Sequence, residues 1–293
     1  MTHQGKAYLF ALGAVLFWST VASAFKISLR YLEPIQLLLY AGSISTLLLA
    51  VILTVQGKFR LIFCCTPRQY AMSLLLGLLN PFLYYLILFK AYDLLPAQQA
   101  QPINYTWAIT LALLSVPLLG QKLRFVELGA LLVSYCGVVL IATEGKPFGM
   151  HFTNGTGVAL ALGSTIIWAL YWIFNTRDTR DPVVALLVNF LCSFPFVFGY
   201  CLFFSELVWP PLPGILGAIY VGFFEMGACY VLWLLALRLS DNAARIGSLI
   251  FLSPFLSLFF IHFLVGEEIL SSTYAGLALI VTGLLWQKRL GRA

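Results

Sequence analysis

Charge is scarce in this chain. Asp, Glu, Lys and Arg make up 10% of its 293 residues, against about 25% in an ordinary soluble domain. So little charge cannot cover a water-exposed surface, which excludes a soluble globular protein of this size. Histidine is scarce as well: His3, His151 and His262 are too scattered to form a metal site. The six cysteines, at 64, 65, 136, 192, 201 and 229, lie in or beside apolar runs without metal-ligand spacing. They read as packing residues. No phosphate-binding loop appears, and no polar stretch is long enough for an ATP-binding domain. An intramembrane enzyme would need converging nucleophile, base or metal ligands; the sequence offers scattered histidines and one mid-span glutamate. No cofactor and no metal are expected.

Apolar sequence is what the chain has in abundance: 61% of residues are hydrophobic, and the mean hydropathy is +0.94. Runs of roughly 20 apolar residues, enough to cross a hydrocarbon core of about 30 Å, recur along it. They fall at 8–28, 35–55, 69–90, 97–118, 125–142, 156–175, 183–204, 213–237, 243–264 and 272–287. Backbone groups in lipid must be satisfied within the segment, so continuous runs are helices. The expected fold is an all-α polytopic membrane protein with ten transmembrane helices. Lys6, the first run and Ala22-Ser23-Ala24 imitate a signal peptide with its cleavage site. The run is long for such a segment and matches a later span, so it reads as helix 1.

The net charge of +6 invites a nucleic-acid reading, which its distribution refutes. With the N-terminus taken as cytoplasmic, Lys26, Arg30, Lys90 and Lys146 are the basic residues on the far side. The other thirteen of the 17 lie in cytoplasmic loops and termini. That asymmetry is the positive-inside rule. It puts both termini in the cytoplasm and makes the bilayer, not a polyanion, the reason for the charge. No obligatory protein partner is implied.

The chain also repeats itself. Residues 11–18 and 161–168 both read A-L-G-x-x-x-x-W, each opening a block of five spans. An acidic-Pro pair follows in both blocks, Glu33-Pro34 and Asp181-Pro182. Leu119-Gly120-Gln121 aligns with Val265-Gly266-Glu267, and Gly137 with Gly283. Five is odd, so the second block enters the membrane in the opposite sense. The expectation is two inverted five-helix repeats, 1–145 and 146–293, with a substrate site near the midplane between them.

The stretch 238–283, with its Pro254 helix, Gly266-Glu267-Glu268 turn and glycine-bearing last span, resembles the EamA-type repeat of the drug/metabolite transporter superfamily. "FWST" (17–20) and "INYTWAITLALLSVPLLGQKL" (103–123) are similar to aromatic amino-acid exporters of the YddG type within it. Those relatives often carry proline after Asn-Tyr-x-Trp, where this chain has Ala108, with Pro102 earlier in the helix. The resemblance covers essentially the whole chain. It implies ten helices, export across the bacterial inner membrane, and a central cavity lined from both halves.

Candidate substrate contacts follow from depth and helical spacing. Glu225 lies mid-way along span 8, where an ionised carboxylate is costly and marks function. It is a candidate to exchange a proton or to stay neutral and donate a hydrogen bond; the bland reading is a glutamate satisfied by a neighbour. Aligning Ala91 with Ala236 puts Asn80 of span 3 opposite it, and two such groups in facing helices predict a shared water-accessible cavity. Trp168, Tyr171 and Trp172 share one helical face, as do Glu225, Cys229 and Trp233, and Asn80 and Tyr84. Span 4 continues the pattern with Gln101, Asn104 and Tyr105, with Trp107 beside them. Trp18 is the repeat partner of Trp168. Walls of Trp and Tyr with a few amides and one carboxylate suit a flat apolar substrate with a polar end. With the resemblance, Tyr84, Tyr105, Trp107 and Trp168 are favoured as contacts, although each ring alone could be plain packing. Pro102 and Pro254 mark expected bends in spans 4 and 9. Arg245 is a candidate partner for a substrate carboxylate, but its place near the cytoplasmic end favours anchoring. The expected activity is export of aromatic amino acids (Phe, Tyr, Trp) and related small amphipathic compounds. The alternatives are another metabolite, such as a polar amino acid, nucleoside or cationic drug, or a non-transporting partner subunit.

Overall fold

Helix starts and stops follow from local chemistry. The computed structural model describes residues 3–120, 125–149, 154–175, 178–207, 209–239 and 249–290, and no strand occurs among them. Helix α1 runs His3–Ser28 and α2 runs Pro34–Val55. Helix α3 covers Pro67–Leu94, α4 Ala97–Leu119 and α5 Phe125–Ala142. In the second half, α6 is Gly155–Asn175 and α7 Pro182–Phe204. Helix α8 begins as Leu212–Tyr220 and ends as Cys229–Leu239; α9 includes Ser253–Phe260, and α10 is Ser271–Leu290. Seven helices among the described residues are long and apolar enough to cross a membrane, and Leu131–Ala142, Ser253–Val265 and Ser271–Trp286 are shorter apolar ones.

The two acidic-Pro pairs are helix starts. Pro34 and Pro182 occupy the first turn, where a missing N–H costs nothing. Asp181 Oδ1 accepts from Val183 N at 3.0 Å, and Gln36 Oε1 accepts from Glu33 N at 3.0 Å. The repeated Gly120 and Gly266 are helix stops. Each is the C-cap of its helix, α4 and α9, with φ of +68° and +82°, a left-handed conformation that favours glycine.

Both α3 and α8 change winding at mid-length. A π-type turn spans Leu78–Leu83, with Asn80 at φ −145°, ψ 120° and Pro81 inside it. A second spans Val221–Ala228. Such wide turns re-aim the side chains they carry. Asn80 lies in the first and Glu225 in the second. At the start of each bend a glycine, Gly77 before the first and Gly222 as the second residue of the other, permits a close crossing. A Cβ at Gly77 would collide with the carbonyl oxygen of Asn189 on α7, and one at Gly222 with that of Ala41 on α2. The two crossings are reciprocal, first half onto second and second onto first, and the two glycines are 145 positions apart.

Helices α2 and α7 are tied at both ends in the same reciprocal manner. Lys58 Nζ, beyond the end of α2, donates to Asp181 Oδ2 at 2.7 Å. Ser205, beyond the end of α7, donates to Glu33 Oε2 at 2.6 Å. In the α6–α7 connection Arg180 Nη2 donates to Asp178 Oδ2 at 2.6 Å and to Ser73 Oγ on α3 at 2.7 Å. Burial alone would raise the Asp178 carboxyl; hydrogen bonds and charge from Arg180 outweigh it and hold it below the usual carboxylate range.

Candidate substrate site

Trp168 on α6 is the hub of an aromatic cluster. Tyr84 of α3 stacks on it with ring centroids 4.5 Å apart and an interplanar angle of 29°. Tyr171, one turn along α6, stacks at 5.7 Å, and Trp172 meets it edge-on at 5.9 Å. Trp107 of α4 and Tyr230 of α8 also approach edge-on, at 6.4 and 6.2 Å. Offset and edge-to-face contacts are those that the ring quadrupole favours. Trp18 lies apart from this hub and packs against Trp233 of α8 at 5.3 Å. Each half thus seats its first tryptophan on the third span of the other.

Hydroxyls and amides thread between the rings. Tyr84 Oη donates to Asn104 Oδ1 at 3.4 Å, and Asn104 Nδ2 donates to Ser164 Oγ on α6 at 2.9 Å. Tyr105 Oη donates to Ser253 Oγ of α9 at 2.8 Å. Helix α4 opens out at Tyr105–Thr106, between Ala97–Asn104 and Trp107–Leu119. Pro102 sits just before that break, and Pro254 lies in the first turn of Ser253–Phe260.

Glu225 is buried, at 8% exposure. Its Oε1 accepts from Tyr85 Oη at 3.1 Å, Trp18 lies within hydrogen-bonding reach of the carboxyl, and Oε2 has no well-aligned partner. The rest of its stripe faces α1: Cys229 Sγ donates to Ala14 O at 3.8 Å, and Trp233 meets Trp18. Asn80 sits in a different cluster. With Asn189 of α7 it lies against the Tyr171 hydroxyl, and the amide atoms of both asparagines lack a well-aligned partner. Bends at corresponding positions therefore carry Asn80 to Tyr171 and Asn189, and Glu225 to Tyr85 and Trp18. Arg245 lies outside the described residues.

Sequence reasoning missed Tyr85, Tyr230, Asn189, Ser164 and Ser253. The first two were within reach: the 145-residue offset that aligns Asn80 with Glu225 also aligns Tyr85 with Tyr230. In the structure those two hydroxyls are neighbours. The serines carry no such signal, because a membrane helix tolerates serine on any face by bonding its own backbone, as Ser164 also does with Ala161 O.

The EamA-like transporter family matches the chain twice, over residues 5–143 and 155–287. YvbV of Bacillus subtilis (strain 168), an uncharacterized transporter, is 28% identical over 92% of this chain and 87% of its own length. The aromatic amino acid exporter YddG of Ancylobacter novellus is 25% identical over 87% of each chain. A probable amino-acid metabolite efflux pump of Escherichia coli (strain K12) is 25% identical, covering 94% of this chain and 92% of its own. A solved crystal structure superposes with a TM-score of 0.69 over 98% of both chains at 23% identity, a likeness of fold.

Proposed function

The chain belongs to the EamA-like transporter family, and on that premise we propose that it exports aromatic amino acids and related small amphipathic compounds across a bacterial inner membrane. The observation that carries the reading is the ring cluster around Trp168, drawn from α3, α4, α6 and α8, with partnerless buried polar atoms beside it. Stacking rings take a flat apolar side chain, and the amides and carboxylate take a polar end. Two relatives named for aromatic amino-acid export and amino-acid metabolite efflux agree with that chemistry.

Transport proceeds by alternating access between two inverted halves, 1–145 and 146–293, of five spans each, with both termini cytoplasmic. The double family match and the reciprocal Gly77 and Gly222 crossings support this arrangement. A lone carboxylate with one free oxygen favours a second reading for Glu225, exchange of a proton during the cycle.

The test is uptake of labelled Phe, Tyr and Trp into proteoliposomes, with and without an imposed pH gradient. Saturable uptake, competed by aromatic amino acids ahead of polar ones, is the expected result. Proton exchange further requires the gradient to drive accumulation in the wild type and not in Glu225→Gln. No aromatic uptake above empty vesicles sinks the substrate assignment.

A further inference from the structure

The rings around Trp168 would hold the flat part of a substrate, which leaves the question of what its polar end meets. Glu225 Oε2 and Gln101 Oε1 are both buried and both without a hydrogen-bond partner. An ionised carboxylate and an amide oxygen only accept hydrogen bonds. The two lie on helices that converge on the cluster: Tyr85 joins Glu225 to α3, and Gln101 sits beside Tyr105 on α4.

No cation offsets the carboxylate among the described residues. The ion pairs there are Lys58–Asp181, Lys90–Asp93 and Arg180–Asp178, none at this site. Lys26, on α1, is committed elsewhere, its Nζ donating to the carbonyls of Tyr92 and Leu95 at 2.7 Å each. A buried carboxylate with only the neutral donors Tyr85 and Trp18 beside it and no counter-charge is costly. A ligand that brings a positive charge and several N–H donors removes that cost.

We infer that Glu225 Oε2 takes the ammonium group of the substrate, so that a free amine, and not the α-carboxylate, decides what is carried. The inference rests on the proposed transport of aromatic substrates and narrows it. The substrate class becomes aromatic primary amines, with or without a carboxylate. An aromatic acid lacking the amine would bring a second negative charge to Glu225 and is excluded. An N-acylated amino acid loses the charge and two donors, and is excluded for that reason.

Counterflow of labelled phenylalanine in proteoliposomes, with four unlabelled competitors, tests this. Phenylalanine and phenethylamine are expected to compete within about threefold of each other, and 3-phenylpropionate and N-acetylphenylalanine at least about tenfold less well, because a site built around one polar group rejects ligands that lack its partner. In Glu225→Gln that preference should fall to about threefold or less. In Tyr85→Phe, which removes a donor but keeps the carboxylate, it should persist. A wild type that prefers 3-phenylpropionate to phenethylamine overturns the inference, as does an unchanged preference in Glu225→Gln. If Glu225→Gln does not fold, Glu225→Asp replaces it, and an amine preference insensitive to that shortening overturns the inference. Should phenylalanine itself fail to exchange above empty vesicles, the transport reading has failed. The amine site is then judged by quenching of tryptophan fluorescence with phenethylamine in detergent: quenching lost in the Glu225 variant supports it, and quenching absent or unaltered overturns it.

Discussion

Trp168 differs from the other aromatic residues in the number of rings it touches. It meets Tyr84, Trp107, Tyr171, Trp172 and Tyr230, so truncation removes a platform rather than one contact. With ring pairs worth about 0.5–1.5 kcal/mol each beyond burial, Trp168→Ala should raise the half-saturation constant for aromatic uptake at least about tenfold. Trp168→Phe keeps an apolar ring and should stay within about threefold of wild type, on the same scale of ring-pair energies. Equal uptake by all three proteins would remove Trp168 from the site. A second prediction concerns Asp178, whose carboxyl ionises below its ordinary value beside Arg180. A group depressed on folding stabilises the protein above its unfolded pKa, about 3.9 for Asp, and loses that contribution as pH falls through the folded value. The melting temperature in detergent should therefore fall below about pH 4. The gap between wild type and Asp178→Asn should narrow over the same range; a gap constant with pH denies the pair this role. At this scale the sequence was partly legible. The tryptophans and Glu225 stand out because they are costly or bulky at membrane depth. Tyr85 stands out only through the offset of 145 residues that pairs it with Tyr230, since a lone tyrosine in a span carries no mark of its own.

Helix crossings explain why two glycines recur at one interval. Side chains at Gly77 and Gly222 would strike backbone carbonyls of the opposite half, and backbone cannot retreat as a flexible side chain can. Gly77→Ala and Gly222→Ala should each destabilise the folded protein by about 1–3 kcal/mol, the usual cost of overpacking. Gly163 is the control, since a Cβ there meets nothing within 4 Å. Gly163→Ala should leave the melting temperature unchanged or slightly higher, because alanine favours helix. Equal losses at all three positions would show that the crossings carry no special constraint. Element boundaries were largely legible for a related reason. Asp-Pro, Glu-Pro and the left-handed Gly120 and Gly266 are stop and start signals that act within one turn of the chain. The π-type turn at 221–228 was not legible, because its winding is settled by packing between halves; the one at 78–83 carried a local signal in Pro81 that the sequence reading did not use.

Across the whole molecule, a transporter must hold one end shut and be able to release it. At the end where α3 passes into α4, the chain is clasped by the turn after α9. Glu267 accepts from Ala97 N at 2.7 Å and from Gln98 N at 3.1 Å, a carboxylate at the positive end of a helix. Gln98 answers with its own side chain, donating to Glu268 O at 2.8 Å and accepting from Leu270 N and Thr273 Oγ1 at 3.0 Å. In the proposed topology, with both termini cytoplasmic, this end faces outward. The repeat foretold the Gly266 turn but not its target, because which helix N-terminus a turn reaches depends on how the halves close together. Hydrogen bonds to a charged acceptor contribute about 1.5–3 kcal/mol each, so Glu267→Ala should raise the fraction of molecules open at this end by about tenfold or more. The reporter is Ala100→Cys, a fully buried position one turn inside the clasp, labelled by a membrane-impermeant maleimide from outside against the same protein without that cysteine. Faster labelling in Glu267→Ala, with Glu267→Gln between the two because one amide oxygen can still accept, identifies the clasp as a gate that opens during transport. Labelling unaffected by either substitution makes it a fixed brace, and the opening must then be sought between other helices.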